Sequence, residues 1–355
     1  MAQGSFVKLR YMKITKKKIG LSLGLIIIVM AVWNWSLLSY GIKQGIGQLN
    51  VVWKARPVDE VLSDPTTPDS IKQKLKLVEE VRRYAIDSLG LKDTDNYKTL
   101  FDQQGKEIMW VVTASEAYRL KEKTWEFPIL GSVPYKGFFD IDAARKEKQK
   151  LEDEGWDVSV TNPGGWSTLG WLTDPILSDM LDKNEGDLAS LIIHEMVHAT
   201  IYVKDSSTFN ENLASFIGDL AAFKFVRYQY GRQSSEEITY VNEDADFRKY
   251  NDHILRAALL LDSVYEAIAD QPIESKKEAK RNAMQKIVVA MDTLHLSDNH
   301  QPSKRFEKKL PTNAYFLSFR RYQAQQMDLS KMFAGQFGSD FKKMVEYFKK
   351  RYPFM

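Results

Sequence analysis

The sequence predicts a mainly helical α+β protein: a small N-terminal sheet and a helical C-terminal half, preceded by one membrane-spanning helix. Three observations carry this expectation. Residues 19–40 contain no charge, short strand-like segments punctuated by Pro and Gly run to about residue 160, and from Asn184 onward nearly every segment has helical spacing of apolar residues. With 355 residues, 44% hydrophobic and 27% charged, the chain has material for a substantial core and is not disordered throughout.

Residues 1–18 carry Lys8, Arg10, Lys13, Lys16, Lys17 and Lys18 and no acid, and read as a cytoplasmic basic tail. The following run, IGLSLGLIIIVMAVWNWSLLSY, is long enough to cross a hydrocarbon layer of about 30 Å at about 1.5 Å per residue. Trp33, Trp35 and Tyr40 gather at its far end, where amphipathic rings favour the interface, and the lysines precede it. It reads as an uncleaved signal anchor, N-terminus in, because it is long for a signal peptide and no small-x-small cleavage site follows. Membrane lipid is therefore an expected partner. The chain has 50 basic and 47 acidic residues, and without the six in the tail the body holds 44 against 47, so no nucleic-acid partner is expected.

Residues 41–355 then form one extracytoplasmic domain, an α+β part at 41–183 and a helical part at 184–355. Residues 41–62 read as a juxtamembrane helix or loop with a stop at Pro57. Pro65 to Asp69 supplies a start signal for SIKQKLKLVEEVRRYAIDSL, whose Ile71, Leu75, Leu77, Val78, Val81, Ala85 and Leu89 recur at near-helical spacing. Trp110–Thr113 and residues 124–139 read as short strands and turns, residues 140–153 as a charged helix and residues 157–160 as a strand. Helices are expected at 186–202, 208–230, 253–269, 275–293, 312–327 and 338–350, with loops at Gly231–Glu237 and Ser297–Lys304. No cysteine is present, which excludes disulfide scaffolds, thiol nucleophiles, Cys-ligated zinc and lipoprotein processing.

The chemistry lies at 194–198, HEMVH, inside the apolar run LASLIIHEMVHATIY. His194 and His198, four apart, share a helix face, and Glu195 sits about 100° round, within reach of a water between the imidazoles. The spacing arises by chance in some chains, but three ionisable groups on an otherwise apolar helix are costly without partners, and one cation partners all of them. Catalytic zinc usually takes three protein ligands and leaves a fourth position to water. Glu211, at the start of the next helix after a turn over Val203–Ser207, supplies the third, giving His2Glu and one zinc ion per chain; Ser206, Ser207 or Thr208 would cap that helix. The plainer reading of Glu211 is a carboxylate placed to suit the helix dipole. A third histidine at the spacing of HExxHxxGxxH is absent, with His253, His295 and His300 far along the chain.

Around these residues the chain resembles the bacterial predicted-aminopeptidase family of the zinc metallopeptidase superfamily, a gluzincin-like group once listed as a domain of unknown function. The resemblance runs through YGIKQGIGQLNVVWKARPV, VRRYAIDSLGL, WEFPILGSVPYKGFF, WSTLGWLTDPILSDML and HEMVHATIYVKDSSTFNENLASFIGD to PTNAYFLSFRRY at 311–322. It implies a zincin-like domain, metal ligands at His194, His198 and Glu211, and Glu195 as the general base acting on a zinc-bound water to cleave peptide or protein substrates. It also implies a bacterial inner membrane with the catalytic domain periplasmic or extracellular. Many members carry a lipid-modified Cys, absent here. Many gluzincins place an Asp four residues after the ligand Glu, where this chain has Ser215; Asp174 or Asp219 are the candidates to replace it.

An oxyanion donor is needed as well, and His253, Tyr315 and Tyr322 are the candidates. GGWSTLGW, 164–171, reads equally as a substrate-pairing edge strand or an aromatic-rich turn. Exopeptidase specificity needs a carboxylate for the substrate's ammonium, for which Glu126 and Asp174 are available. From the residues alone an endopeptidase fits as well. The alternative of a different class is a tethered, non-catalytic scaffold with a structural or vestigial metal site.

Overall fold

The computed structural model describes residues 35–127, 131–163, 173–297 and 301–352. The basic tail, residues 19–34 of the expected span, GGWSTLGW and His300 lie outside the described residues. The chain divides into two compact units, Met1–Leu49 and Asn50–Met355. Helix α1, Trp35–Lys54, passes through Tyr40 without a break, so the segment after the expected span begins as helix rather than loop. Among the described residues no helix is long and apolar enough to cross a membrane.

The second unit starts with β1 (Arg56–Pro57) and α2 (Val58–Ser63), then α3 (Asp69–Leu89). α3 begins after Pro68 and stops at Gly90, whose φ of 77° lets its N–H reach back to Ala85 and Ile86 carbonyls. Its periodic residues Leu75, Val78, Val81, Ala85 and Leu89 are all buried.

One small sheet is expected from the sequence, and three are found among the described residues. β1, β2 (Thr99–Phe101) and β8 (Ile176–Leu177) form the first, with β2 antiparallel to β1 and parallel to β8. β3 (Trp110–Glu116) is the centre of the second, antiparallel to β6 (Lys136–Phe138) and β7 (Trp156–Thr161), with Val112 opposite both Lys136 and Val160. β4 (Trp125–Phe127) and β5 (Gly131–Val133) form a separate antiparallel pair. Pro134, which has no N–H to offer a ladder, divides β5 from β6, so the two join different sheets. α4 (Ile141–Asp153) lies between β6 and β7, with Asp140 accepting the Asp142 N–H as its N-cap.

The helical half begins with a 3-10 turn at Ser178–Asp182 and continues as α5 (Glu185–His198), α6 (Ser207–Tyr230), α7 (Ser235–Ala267), α8 (Ile273–Met291), α9 (Asn313–Gln323), α10 (Gln326–Phe337) and α11 (Phe341–Arg351). Four features differ from expectation. The helix expected to run to 202 stops at His198, and α10 occupies residues 328–337, where no helix is expected. The loop expected at 231–237 is shorter: Ser234 caps a helix through its side chain to the Glu237 N–H, and α7 reaches back to Ser235 rather than to 253. The expected helix at 312–327 is two, because the Gln325 N–H and the Gln326 side-chain amide are drawn to the buried side chain of Asn212.

Buried residues gather in two clusters. The larger joins α3, α5, α6, α10 and α11, including Val78, Ile192, Ile193, Ile217 and Met344. The smaller joins the later part of α7 with α8 and α9 around Ile254, Leu261, Met291 and Phe316. α6 approaches α5 closely at Gly218, where an added Cβ would lie 3.0 Å from the Ser190 carbonyl and 3.3 Å from the His194 Cβ.

Candidate metal centre

α5 starts at Asn184, whose side chain accepts the Asp187 N–H at 2.8 Å, and its apolar residues bury nearly all of its surface in the larger core. Burying that helix carries His194, Glu195 and His198 inward with it. Glu195 is 7% exposed, and the side chains of His194 and His198 are 16% and 7% exposed.

Beyond His198 the chain turns through 199–206 and returns as α6. The Thr200 hydroxyl donates to the Met196 carbonyl and accepts the Lys92 N–H, which pins the turn. None of Ser206, Ser207 or Thr208 caps α6 in the expected way: Ser206 stands at the N-cap but makes no side-chain cap. Asn210 does the work from inside the helix, accepting the Val203 N–H at 2.9 Å and donating to the Val203 carbonyl at 2.8 Å. Asn212, fully buried, donates to the Thr208 and Arg321 carbonyls and accepts from Gln325 and Gln326. Glu211 therefore sits between two asparagines, one fastened to the turn before it and one to α9 and α10.

That fastening brings three donor atoms together. His194 Nε2 and His198 Nε2 are 3.0 Å apart, and Glu211 Oε2 is 3.3 Å from each. The imidazole rings meet edge to face, with centroids 4.7 Å apart at 81°. Four ligands at about 2.0–2.1 Å around a tetrahedral zinc are about 3.3 Å from one another, so this triangle has the size such an ion requires. Two imidazoles and a carboxylate are also a usual donor set for zinc. The electrostatics agree with mutual dependence. Burial alone would push His198 down, but the charge of Glu211, its hydrogen bond and the charge of Glu195 outweigh it and raise the imidazole. Burial would likewise raise Glu211, yet His198 and His194 hold it well below the ordinary carboxylate range.

Around the triangle, the Ser215 hydroxyl lies 3.5 Å from His194 Nδ1, the place where many gluzincins have an Asp. Asp219 is bonded to the Ser190 hydroxyl at 2.7 Å and meets His194 only through its charge. Asp174 is buried, its backbone held by the Asn96 side chain and the Tyr97 N–H. His198 Nδ1 is buried without a hydrogen-bond partner among the described residues.

Of the three oxyanion candidates, the structure brings Tyr322 to the site. Its ring stacks on His194 at 6.3 Å and 25°, and burial, followed by the charge of Glu211, keeps its hydroxyl protonated far beyond the usual range. Tyr315 instead bonds Tyr250, and His253 Nε2 meets the Ile287 carbonyl in the smaller core, so neither is at the site. Glu126 is exposed on β4.

Four residues near the site escape the sequence reading. Tyr135, between β5 and β6, has its hydroxyl raised by burial and then by Glu211, with Glu195 also in range. Arg321, buried beside Tyr322, is paired with Glu122. Asn210 and Asn212 stand in the sequence as unremarkable polar residues of a first helical turn. The motif SVPYKGFF is the one signal that points toward Tyr135.

No curated protein and no solved structure shows a significant match to the chain. A family model described as "Putative aminopeptidase" matches residues 39–351, from early in α1 to the end of α11. Covering the triangle and every element that builds it, that match places the chain in the "Putative aminopeptidase" family.

Proposed function

We propose that this family member is a zinc-dependent peptidase of the gluzincin kind, one zinc per chain held by His194, His198 and Glu211, that removes residues from the free N-terminus of peptides. The convergence of two Nε2 atoms and one carboxylate oxygen within 3.0–3.3 Å of each other carries the reading. The family description supports a peptidase and, by its name, an aminopeptidase. When bound, zinc would supply a Lewis acid that polarises the scissile carbonyl and acidifies water.

The chain's own residues do the rest. Glu195, one residue from His194 and buried beside the triangle, takes a proton from the attacking water and passes it to the departing amine nitrogen. Tyr322, protonated and stacked on His194, is placed to donate its hydroxyl proton in a hydrogen bond to the developing oxyanion. The apolar lining of α5 and α6 excludes bulk water and strengthens both interactions. Residues 19–40 would anchor the chain in a bacterial inner membrane, lysines inside and the catalytic unit outside, as the uncharged run and the basic tail before it suggest.

The test is cleavage of short peptides with free and acetylated N-termini by the zinc-loaded chain. Cleavage of the free series only is expected, with Glu195→Gln slowing turnover by about 10²–10⁴-fold. Equal cleavage of both series would make it an endopeptidase, and an undiminished Glu195→Gln enzyme would remove Glu195 from the reaction.

A further inference from the structure

Tyr322 is the next-to-last residue of α9, where backbone carbonyls lack intrahelical partners and a helix holds its shape least well. A donor aimed at an oxyanion must nevertheless keep its place closely. What fixes it comes from outside α9. The carbonyl of Arg321, the residue before it, accepts from the buried Asn212 side chain of α6, and the Tyr322 carbonyl accepts from the Gln326 side-chain amide at 3.0 Å. The Arg321 side chain, 5% exposed, pairs with Glu122. Glu122 is itself fixed to the second sheet. It bridges Ser115 between a Glu116 N–H to Lys121 carbonyl bond of 3.0 Å and a Lys123 N–H to Ala114 carbonyl bond of 2.9 Å, so residues 121–123 lie along β3. The other end of α9 is fastened to the same sheet. Asn313 donates its N–H to Asp157 Oδ2 on β7 at 2.8 Å and its side-chain amide to the Glu116 carbonyl of β3 at 2.9 Å. The sheet thus grips α9 at two points about 12 Å apart along the helix.

We propose that Arg321 and Glu122 are positioning residues for the reaction: their ion pair is the contact by which the second sheet holds Tyr322 against His194. The inference rests on the reading of Tyr322 as the oxyanion donor. Two features separate this role from plain stabilisation. A buried ion pair adds little net stability, because desolvation offsets the attraction, whereas it fixes one arrangement over others. Asn313 already docks α9 on the sheet with hydrogen bonds from its backbone and its neutral side chain, so docking alone does not call for a second, charged contact. That contact falls directly beside Tyr322, whose ring stacks on His194.

The test uses the full chain supplied with zinc and carrying 3-fluorotyrosine at position 322 alone, so that the fluorine resonance reports whether the ring holds one position, whatever the chain hydrolyses. Arg321→Met keeps the apolar stem and removes the cation, and Arg321→Lys keeps the cation. Arg321→Met combined with Glu122→Gln removes both charges and leaves none buried without a partner, which protects the fold. One narrow line is expected from the parent and from Arg321→Lys, and a broadened or divided line from both neutral variants at unchanged zinc content. Turnover of leucyl-p-nitroanilide by the neutral variants is expected to fall about 10–100-fold in kcat with KM within about threefold. An unchanged line in the doubly neutral variant would overturn the inference, and so would a rise in KM at constant kcat. Loss of zinc along with the line would make the pair a support of the metal centre and overturn it as well. A divided line in the neutral variants of a chain whose parent cleaves no peptide would uphold the hold on Tyr322 and overturn the peptidase reading instead.

Discussion

Asn212 shows how much of the site is set by residues that do no chemistry. Its amide ties Thr208, Arg321, Gln325 and Gln326 together one position after Glu211. Asn212→Ala would leave buried carbonyl and N–H groups unpaired, at about 1–3 kcal/mol each, and free Glu211 to move. Thermal denaturation is expected to show that loss, and metal titration a fall in zinc affinity of about 10–100-fold. An unchanged affinity in a destabilised protein would make Asn212 structural only. The contrast between His194–His198 and Asn212 also explains what could be read in advance. The first pair interacts four positions apart on one helix, so spacing alone exposes it. Asn212 meets residues 109 to 114 positions away, and nothing in FNENLASFIGD announces them.

Among the elements, the α5–α6 contact decides where the triangle sits. Gly218→Ala would push a methyl group to 3.0 Å from the Ser190 carbonyl and 3.3 Å from His194 Cβ. A destabilisation of about 1–3 kcal/mol by urea denaturation is expected, because both neighbours are backbone or near-backbone atoms that cannot swing aside. The join between α7 and the loop after α8 gives a second test. Asp246 is lowered from 3.8 to about 2, chiefly by the Ser297 hydroxyl and then by Lys249. Its folded value lies below its unfolded one, so its stabilising contribution is complete above about pH 4 and fades as pH falls towards 2. Asp246→Asn should therefore flatten the wild-type loss of stability between those pH values, and a parallel loss in both proteins would contradict the assignment. Helices with a continuous apolar stripe, such as α3, α6 and α8, were legible close to their true bounds. The first half of α7 was not: EEITYVNEDADFRKYND has little stripe to read, since of that stretch only Glu237, Tyr240 and Asn251 nearby are buried. The split between α9 and α10 was hidden for the same reason as Asn212, its long-range partner.

For the whole molecule, composition and periodicity disclose a mainly helical α+β unit, and β3 to β7 lie where strands are expected, whereas β1, β2 and β8, the whole of the first sheet, fall where none is. Their division among three sheets was not legible, because strands of two to seven residues do not specify which neighbour they pair with. The two cores likewise follow from tertiary packing and not from any one segment's pattern. What unites these levels is the larger core, which buries α5 and α6 together and so gathers donors from both into one triangle. Zinc content is the quantity on which that account turns. Elemental analysis of the full chain, purified without chelator, is expected to find about one zinc per chain, retained in Glu195→Gln and largely lost in Glu211→Ala. Well-folded protein without zinc that also fails to take it up on titration, or a content indifferent to Glu211, would contradict it.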